Sequence, residues 1–158
     1  MSTVPDVRTL LKREESYAIH ALINMTEKPG TTAQEIAADL QAPRAFMSKV
    51  LRKLTTAGLI ETRMGRGGGV RMLKNPYEIT ILDVMEVISG PVIMDHCQVK
   101  DQCATQERLG HCRLKGKFLS SSILIREILS KTSIAELSNV GAQSRPQLPP
   151  AVSSPKQT

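Results

Sequence analysis

The chain is nearly devoid of aromatic residues, with two Tyr, two Phe and no Trp in 158 positions. Single-stranded nucleic acid is gripped by stacking bases on aromatic platforms, so that class of partner is disfavoured. Aliphatic side chains must build the core. No run of 18 apolar residues occurs, which excludes a membrane-spanning helix on length. The opening MSTVPDVRTLLKREE lacks the apolar stretch of a secretory signal, and the cysteines number only three, an odd count. These absences point to no membrane association, no disulfide framework and a reduced, cytoplasmic compartment. No nucleophile triad or carboxylate pair stands out. The run Gly65-Arg66-Gly67-Gly68-Gly69 lacks the Lys-Ser/Thr ending of a phosphate-binding loop and precedes a strand pattern, not a helix. An enzyme is not expected.

What is present is one domain's length of chain, 41% apolar, with a net charge of +6. The charge is local. From Pro43 to Lys74 stand eight basic residues (Arg44, Lys49, Arg52, Lys53, Arg63, Arg66, Arg71, Lys74) against one acid, Glu61, so this segment alone outweighs the excess of the whole chain. A basic footprint of this kind favours a polyanion partner.

Apolar periodicity gives a mainly α fold with a small β-hairpin wing. A first helix is expected over about 7–27, with Leu11, Ala18, Leu22 and Met25 on its stripe and Lys28-Pro29-Gly30 as the stop. A short helix over 33–40 opens with the capping pair Thr32 and Glu35. After Gln41-Ala42, a third helix runs from Pro43, in its first turn, to Ala57. Strand patterns at 59–64 and 70–73 flank the glycine run. A helix over 81–89, capped by Thr80, follows. The segment 92–112 reads as irregular and holds every cysteine. Then come a long helix over 113–131, with Leu114, Phe118, Ile125, Ile128 and Leu129 at apolar positions, and a helical turn over 133–140. The Pro- and Ser-rich tail, 141–158, reads as disordered.

Two short helices followed by a glycine-tipped hairpin is the order of a winged helix-turn-helix. Helix 43–57 has the two faces that reading a major groove needs. Arg44, Ala45, Ser48 and Lys49, near its start, are the candidates for base edges; Arg52 and Lys53 are the candidates for phosphate. In the wing, Arg63 and Arg66 add cations, Arg66 being suited to a minor groove, while Gly67, Gly68 and Gly69 offer backbone amides.

Cys97, Cys103 and Cys112 are separated by five and eight residues, unlike the paired spacing of a zinc ribbon. Three soft ligands on one loop suit an iron–sulfur cluster or zinc, and buried unligated thiols are the alternative. Arg113, Lys115 and Lys117 favour thiolates nearby.

The strings YAIHAL, KVLRKLTTAGLIETRMGRGGGVRM and CRLKGKF resemble the Rrf-two family of winged helix-turn-helix transcriptional regulators, those like IscR and NsrR, over about residues 8–140. The resemblance implies a homodimer held by the long C-terminal helix and bound to a palindromic operator in double-stranded DNA. It implies a DNA-binding unit over 7–90, a cluster loop over 91–112 and a dimerisation region over 113–140. It also implies repression controlled by a 2Fe-2S or 4Fe-4S cluster on Cys97, Cys103 and Cys112, sensing nitric oxide, redox state or iron supply. The family's fourth ligand is a His that here is Lys115, which cannot ligate, or a carboxylate from the partner's first helix. That second slot is Ser16 here, with Glu15 beside it and Glu14 next. Glu15 is the first candidate and His20 the second, while His96 and His111 flank cysteines. The sequence departs from the pattern in its longer second cysteine gap and in Met64, where relatives place a wing Arg. Arg63 or Arg66 would then serve instead. Two other readings stay open: a cluster-free regulator using its cysteines as a thiol switch, and an iron–sulfur electron-transfer protein.

Overall fold

The computed structural model of the chain describes residues 8–63 and 65–139. It is mainly helical with one antiparallel hairpin, as the periodicity predicts. The 141–158 tail and Met64 lie outside the described residues.

Helix α1 (Arg13–Glu27) starts six residues later than expected. Lys12 is extended, and its N–H donates to the Glu15 carboxylate at 2.7 Å, which satisfies a donor that a longer helix would have used internally. Glu14 and Glu15 in the first turn also suit the positive end of the helix dipole. Leu11 still packs against the core, from outside the helix.

Helix α2 (Ala33–Asp39) begins where expected, with the Glu35 N–H donating to the Thr32 hydroxyl at 3.2 Å and the Glu35 carboxylate accepting from the Thr32 N–H at 2.7 Å. The connection to α3 (Arg44–Thr56) turns sharply because Gln41 takes a left-handed conformation, φ 49°, and the Ala42 N–H reaches back to Ala37. Pro43 sits just outside the first turn rather than in it. The wing is β1 (Ile60–Arg63) paired with β2 (Gly69–Met72), Arg63 opposite Gly69 and Ile60 opposite Met72.

Helix α4 (Ile81–Ser89) has the expected bounds and Thr80 cap. Segment 92–112 is not wholly irregular. It contains a 3-10 turn at His96–Gln98 and a helix α5 (Ala104–Leu109). Every residue of α5 is exposed, so no apolar period marks it in the sequence. Helix α6 (Arg113–Ser130) is followed by α7 (Ile134–Leu137), shorter than expected, whose start closes on the residues leading into α4: Ile134 N–H donates to the Ile79 carbonyl oxygen at 2.8 Å.

One core joins these elements, with Leu22, Ile36, Met47, Leu54, Ile60, Ile79 and Ile134 fully buried. Side chains of this size each contribute roughly 1.5–3 kcal/mol on burial. Apart from the exposed α5, helix α6 is the exception. Only Ser122 is buried along it; Phe118, Ile125 and Leu129 are half-buried, while Leu114, Leu119, Ile123, Leu124 and Ile128 face solvent. The apolar positions read as one stripe divide between two faces.

Candidate nucleic-acid interface and cysteine loop

Helix α3 separates its residue types by face. Met47, Val50, Leu51 and Leu54 point into the core; Arg44, Ala45, Ser48, Lys49 and Arg52 are exposed, and Lys53 is half-buried. A spacing of four residues places Arg44, Ser48 and Arg52 in one outward row. The start of the helix is held by an edge-on contact between Tyr17 and Phe46, ring centroids 5.4 Å apart, with the Arg13 guanidinium 5.6 Å from each ring. Two of the four aromatic residues of the chain are spent on seating this one helix.

The sequence reading missed Glu14. One of its carboxylate oxygens accepts from Lys49 Nζ at 2.7 Å and the other from Lys53 Nζ at 2.8 Å. These two donors, Lys49 foremost, lower the Glu14 pKa from 4.5 to about 2. Lys53 Nζ also donates to the Ile88 carbonyl oxygen at 3.0 Å, so one side chain joins α1, α3 and the end of α4. No signal in the sequence links Glu14 to lysines more than thirty residues away.

In the wing, Gly65 and Gly67 take positive φ, and the Gly68 N–H donates to the Gly65 carbonyl oxygen at 2.9 Å, which turns the chain and leaves Arg66 exposed at the tip. Gly68 is half-buried beside exposed Gly67. Arg63 and Arg71 both pair with Glu61, at 3.1 and 2.7 Å.

All three cysteines are free and half-buried; Cys103 and Cys112 each open a helix, and Cys97 lies inside the 3-10 turn. Cys97 N–H donates to the Asp95 carboxylate at 2.8 Å; Cys103 is the N-cap of α5; the Cys112 sulfur caps α6, accepting from the Lys115 N–H at 3.4 Å. Backbone N–H groups of Gln106 and Thr105 hold the Cys103 thiol below its ordinary range, with a smaller contribution from Lys115. Burial and then Asp95 push the Cys97 thiol up, and the Cys112 and Cys103 sulfurs add to this. The Cys97 thiol therefore feels the charge of the other two sulfurs. Among the described residues, however, no three His, Cys, Asp or Glu side chains converge closely enough to hold a metal ion.

Of the fourth-ligand candidates, Glu15 is buried, its carboxylate engaged by the Lys12 N–H. His20 is exposed, beside a shallow cavity shared with Ser16, Tyr17 and Asp39. His96 and His111 are exposed, and His111 Nδ1 lies 3.0 Å from the Leu109 carbonyl oxygen.

The loop is tied to the body of the protein. Met94 N–H donates to the Ser122 hydroxyl at 2.9 Å, and Arg126 of α6 pairs with Glu86 of α4. No helix among the described residues is long and apolar enough to cross a membrane.

Comparison with known proteins matches residues 11–140 to a family model described as "Rrf2: Iron-dependent Transcriptional regulator". Protein aau3 of Rhizobium meliloti is 35% identical over 89 residues, 55% of this chain and 58% of that protein, so the match spans little over half of that relative. The HTH-type transcriptional regulator NsrR of Shouchella clausii is 25% identical over 126 residues, 77% of this chain and 83% of that one. Among solved structures, CymR, the global cysteine regulator of B. subtilis, superposes with a TM-score of 0.65 at 20% identity, covering 82% of this chain and 96% of that one. IscR of T. potens gives 0.61 at 16% identity, covering 84% and 86%.

Proposed function

From the premise that the chain belongs to the Rrf2 family and is a transcriptional regulator, we propose that it is a cytoplasmic homodimer that represses from a palindromic operator in double-stranded DNA under the control of an iron–sulfur cluster. The observation that carries the DNA reading is the two-faced α3, with its apolar side sunk in the core and Arg44, Ser48 and Arg52 in an outward row. Arg44, Ala45, Ser48 and Lys49 are assigned to base edges, Arg66 to a minor groove, and Arg52, Lys53, Arg63, Gly67 and Gly68 to the sugar-phosphate backbone. Two recognition helices about 34 Å apart would meet successive major grooves on one side of a duplex. The outward apolar residues of α6, Leu114, Leu124 and Ile128 among them, supply the surface for the second subunit.

Cys97, Cys103 and Cys112 would hold the cluster, with His20 or Glu15 of the partner as fourth ligand. The donor set supports this. Three half-buried thiols sit on one loop, one already favoured as thiolate by backbone N–H groups, and the charge that the other two sulfurs place on Cys97 is what a bound cation relieves. The family's iron-dependent description points the same way. When bound, the cluster supplies a centre that responds to nitric oxide, redox state or iron supply.

The chain's own residues supply the connection. Met94 ties the loop to α6 through Ser122, Arg126 ties α6 to α4 through Glu86, and the end of α4 meets the recognition helix where Lys53 bonds the Ile88 carbonyl. A regulator whose cysteines form a thiol switch without a cluster is the second reading, favoured by the absence of a ready three-ligand convergence among the described residues.

Anaerobic purification with iron and sulfide assays, beside operator binding of the wild type and of the Cys97→Ser/Cys103→Ser/Cys112→Ser variant, tests this. Iron-containing wild type whose operator affinity differs from the variant's supports the cluster reading. Iron-free, colourless protein with unaltered operator binding removes it and leaves the DNA reading standing.

A further inference from the structure

The reading surface contains its own anions. Of the eight basic residues between Pro43 and Lys74, four are held by carboxylates: Lys49 and Lys53 by Glu14, Arg63 and Arg71 by Glu61. Arg44, Arg52, Arg66 and Lys74 have no acidic partner among the described residues.

The Glu14 arrangement differs from an ordinary surface pair in geometry. The carboxylate is bridged, one lysine on each oxygen, as a phosphate with two free oxygens would be bridged. Glu14 is also three-quarters covered, and Lys53 is fixed at a third point by Ile88. The acid comes from α1, so the bridge also ties the recognition helix to a second helix of the body.

We propose that Glu14 is a specificity-determining residue that acts as an internal stand-in for a DNA phosphate, withholding Lys49 and Lys53 from sequence-independent binding. This rests on the duplex-binding reading above. A random duplex offers only phosphates to exchange for the Glu14 carboxylate, one anion for another, and the gain is small. An operator that also satisfies Arg44 and Ser48 at base edges makes the exchange worthwhile, because it offers the released Lys49 a base edge and the released Lys53 a phosphate. Glu14 therefore lowers non-specific affinity more than specific affinity and widens the ratio between them, the quantity that matters among many competing sites.

The test is a salt titration of the full-length protein on a random-sequence duplex a few helical turns long, for wild type and Glu14→Gln. Each further phosphate neutralised steepens the slope of log K against log salt by about 0.9 and raises affinity about eightfold near 0.1 M salt. Glu14→Gln is expected to bind the random duplex more tightly with a steeper slope. In the Lys49→Gln/Lys53→Gln background the same substitution should change neither quantity. Melting curves separate these effects from misfolding, and Glu14→Ser serves where Gln retains the lysine contacts. Unchanged or weaker random binding at unchanged slope overturns the proposal. So does a gain that persists without the two lysines, since that would be a general charge effect. Failure of the wild type to bind any duplex at low salt would instead overturn the DNA reading itself.

Discussion

The Val70 N–H donates to the Thr31 carbonyl oxygen at 2.8 Å, fastening the return strand of the wing to the turn between α1 and α2. Beside that bond, Gly69 lies so close that a Cβ would stand 2.9 Å from both the Gly30 and Thr31 oxygens. Both are backbone atoms, which cannot swing aside as a flexible side chain would. Gly69→Ala should push the wing off this turn at about 1–3 kcal/mol, the usual cost of overpacking. Thermal melting and duplex binding are expected to fall together; a variant with unaltered melting would show that the wing is not anchored here.

Lysine pairing at Glu14 has a spectroscopic signature. Its carboxyl ionises at about 2 in the fold against 4.5 ordinarily. A carboxylate lowered in this way favours the folded state above pH 4.5, and that preference fades as pH falls from 4.5 through about 2. A side-chain NMR titration should place the Glu14 midpoint near the lower value, moving up towards the ordinary one in Lys49→Gln/Lys53→Gln. A midpoint near 4.5 in the wild type would dissolve the bridge.

Arg44 and Arg52 share a face but stand at opposite ends of the row. With an operator selected from a random library, Arg44→Ala should lose about 1–3 kcal/mol on that operator and little on random duplex. Arg52→Ala should weaken both alike and shallow the salt slope. Equal losses for Arg44→Ala on the two duplexes would reassign it to phosphate.

Arg126 and Glu86 join the helix after the cysteine loop to the helix that packs on α3. Arg126→Ala is expected to leave random-duplex binding intact while narrowing the difference in operator affinity between anaerobically purified and iron-stripped protein. A difference of full size would place the communication elsewhere.

Most of the fold was legible because local signals and tertiary packing agree. Thr32 with Glu35 is a capping box in sequence and in space, Thr80 caps α4 as its position suggests, and the inward stripe of α3 has the period that its burial requires. Elements were misread where that agreement fails. The start of α1 is set by one bond from Lys12 to Glu15, which competes with a stripe that continues to Leu11. Helix α5 buries nothing, so its six residues carry no period. The site divided in the same way. Arg44, Ser48 and Arg52 follow from spacing along one helix. The grip of Glu14 on Lys49 and Lys53 joins residues 35 and 39 positions apart, a contact that no local pattern encodes.

Helix α6 has a consequence for how the protein responds to its own abundance. Eighteen residues long, it buries a single serine in its own subunit. Most of a helix's stability in a protein comes from packing of its apolar face, and here the larger part of that face points outward. In the proposed dimer, dilution would fray α6, and with it the anchor at Ser122 that steadies the cysteine segment. Copy number in the cell and occupancy of the sulfur site would then be read by one and the same helix, so that scarcity of the regulator mimics loss of its signal.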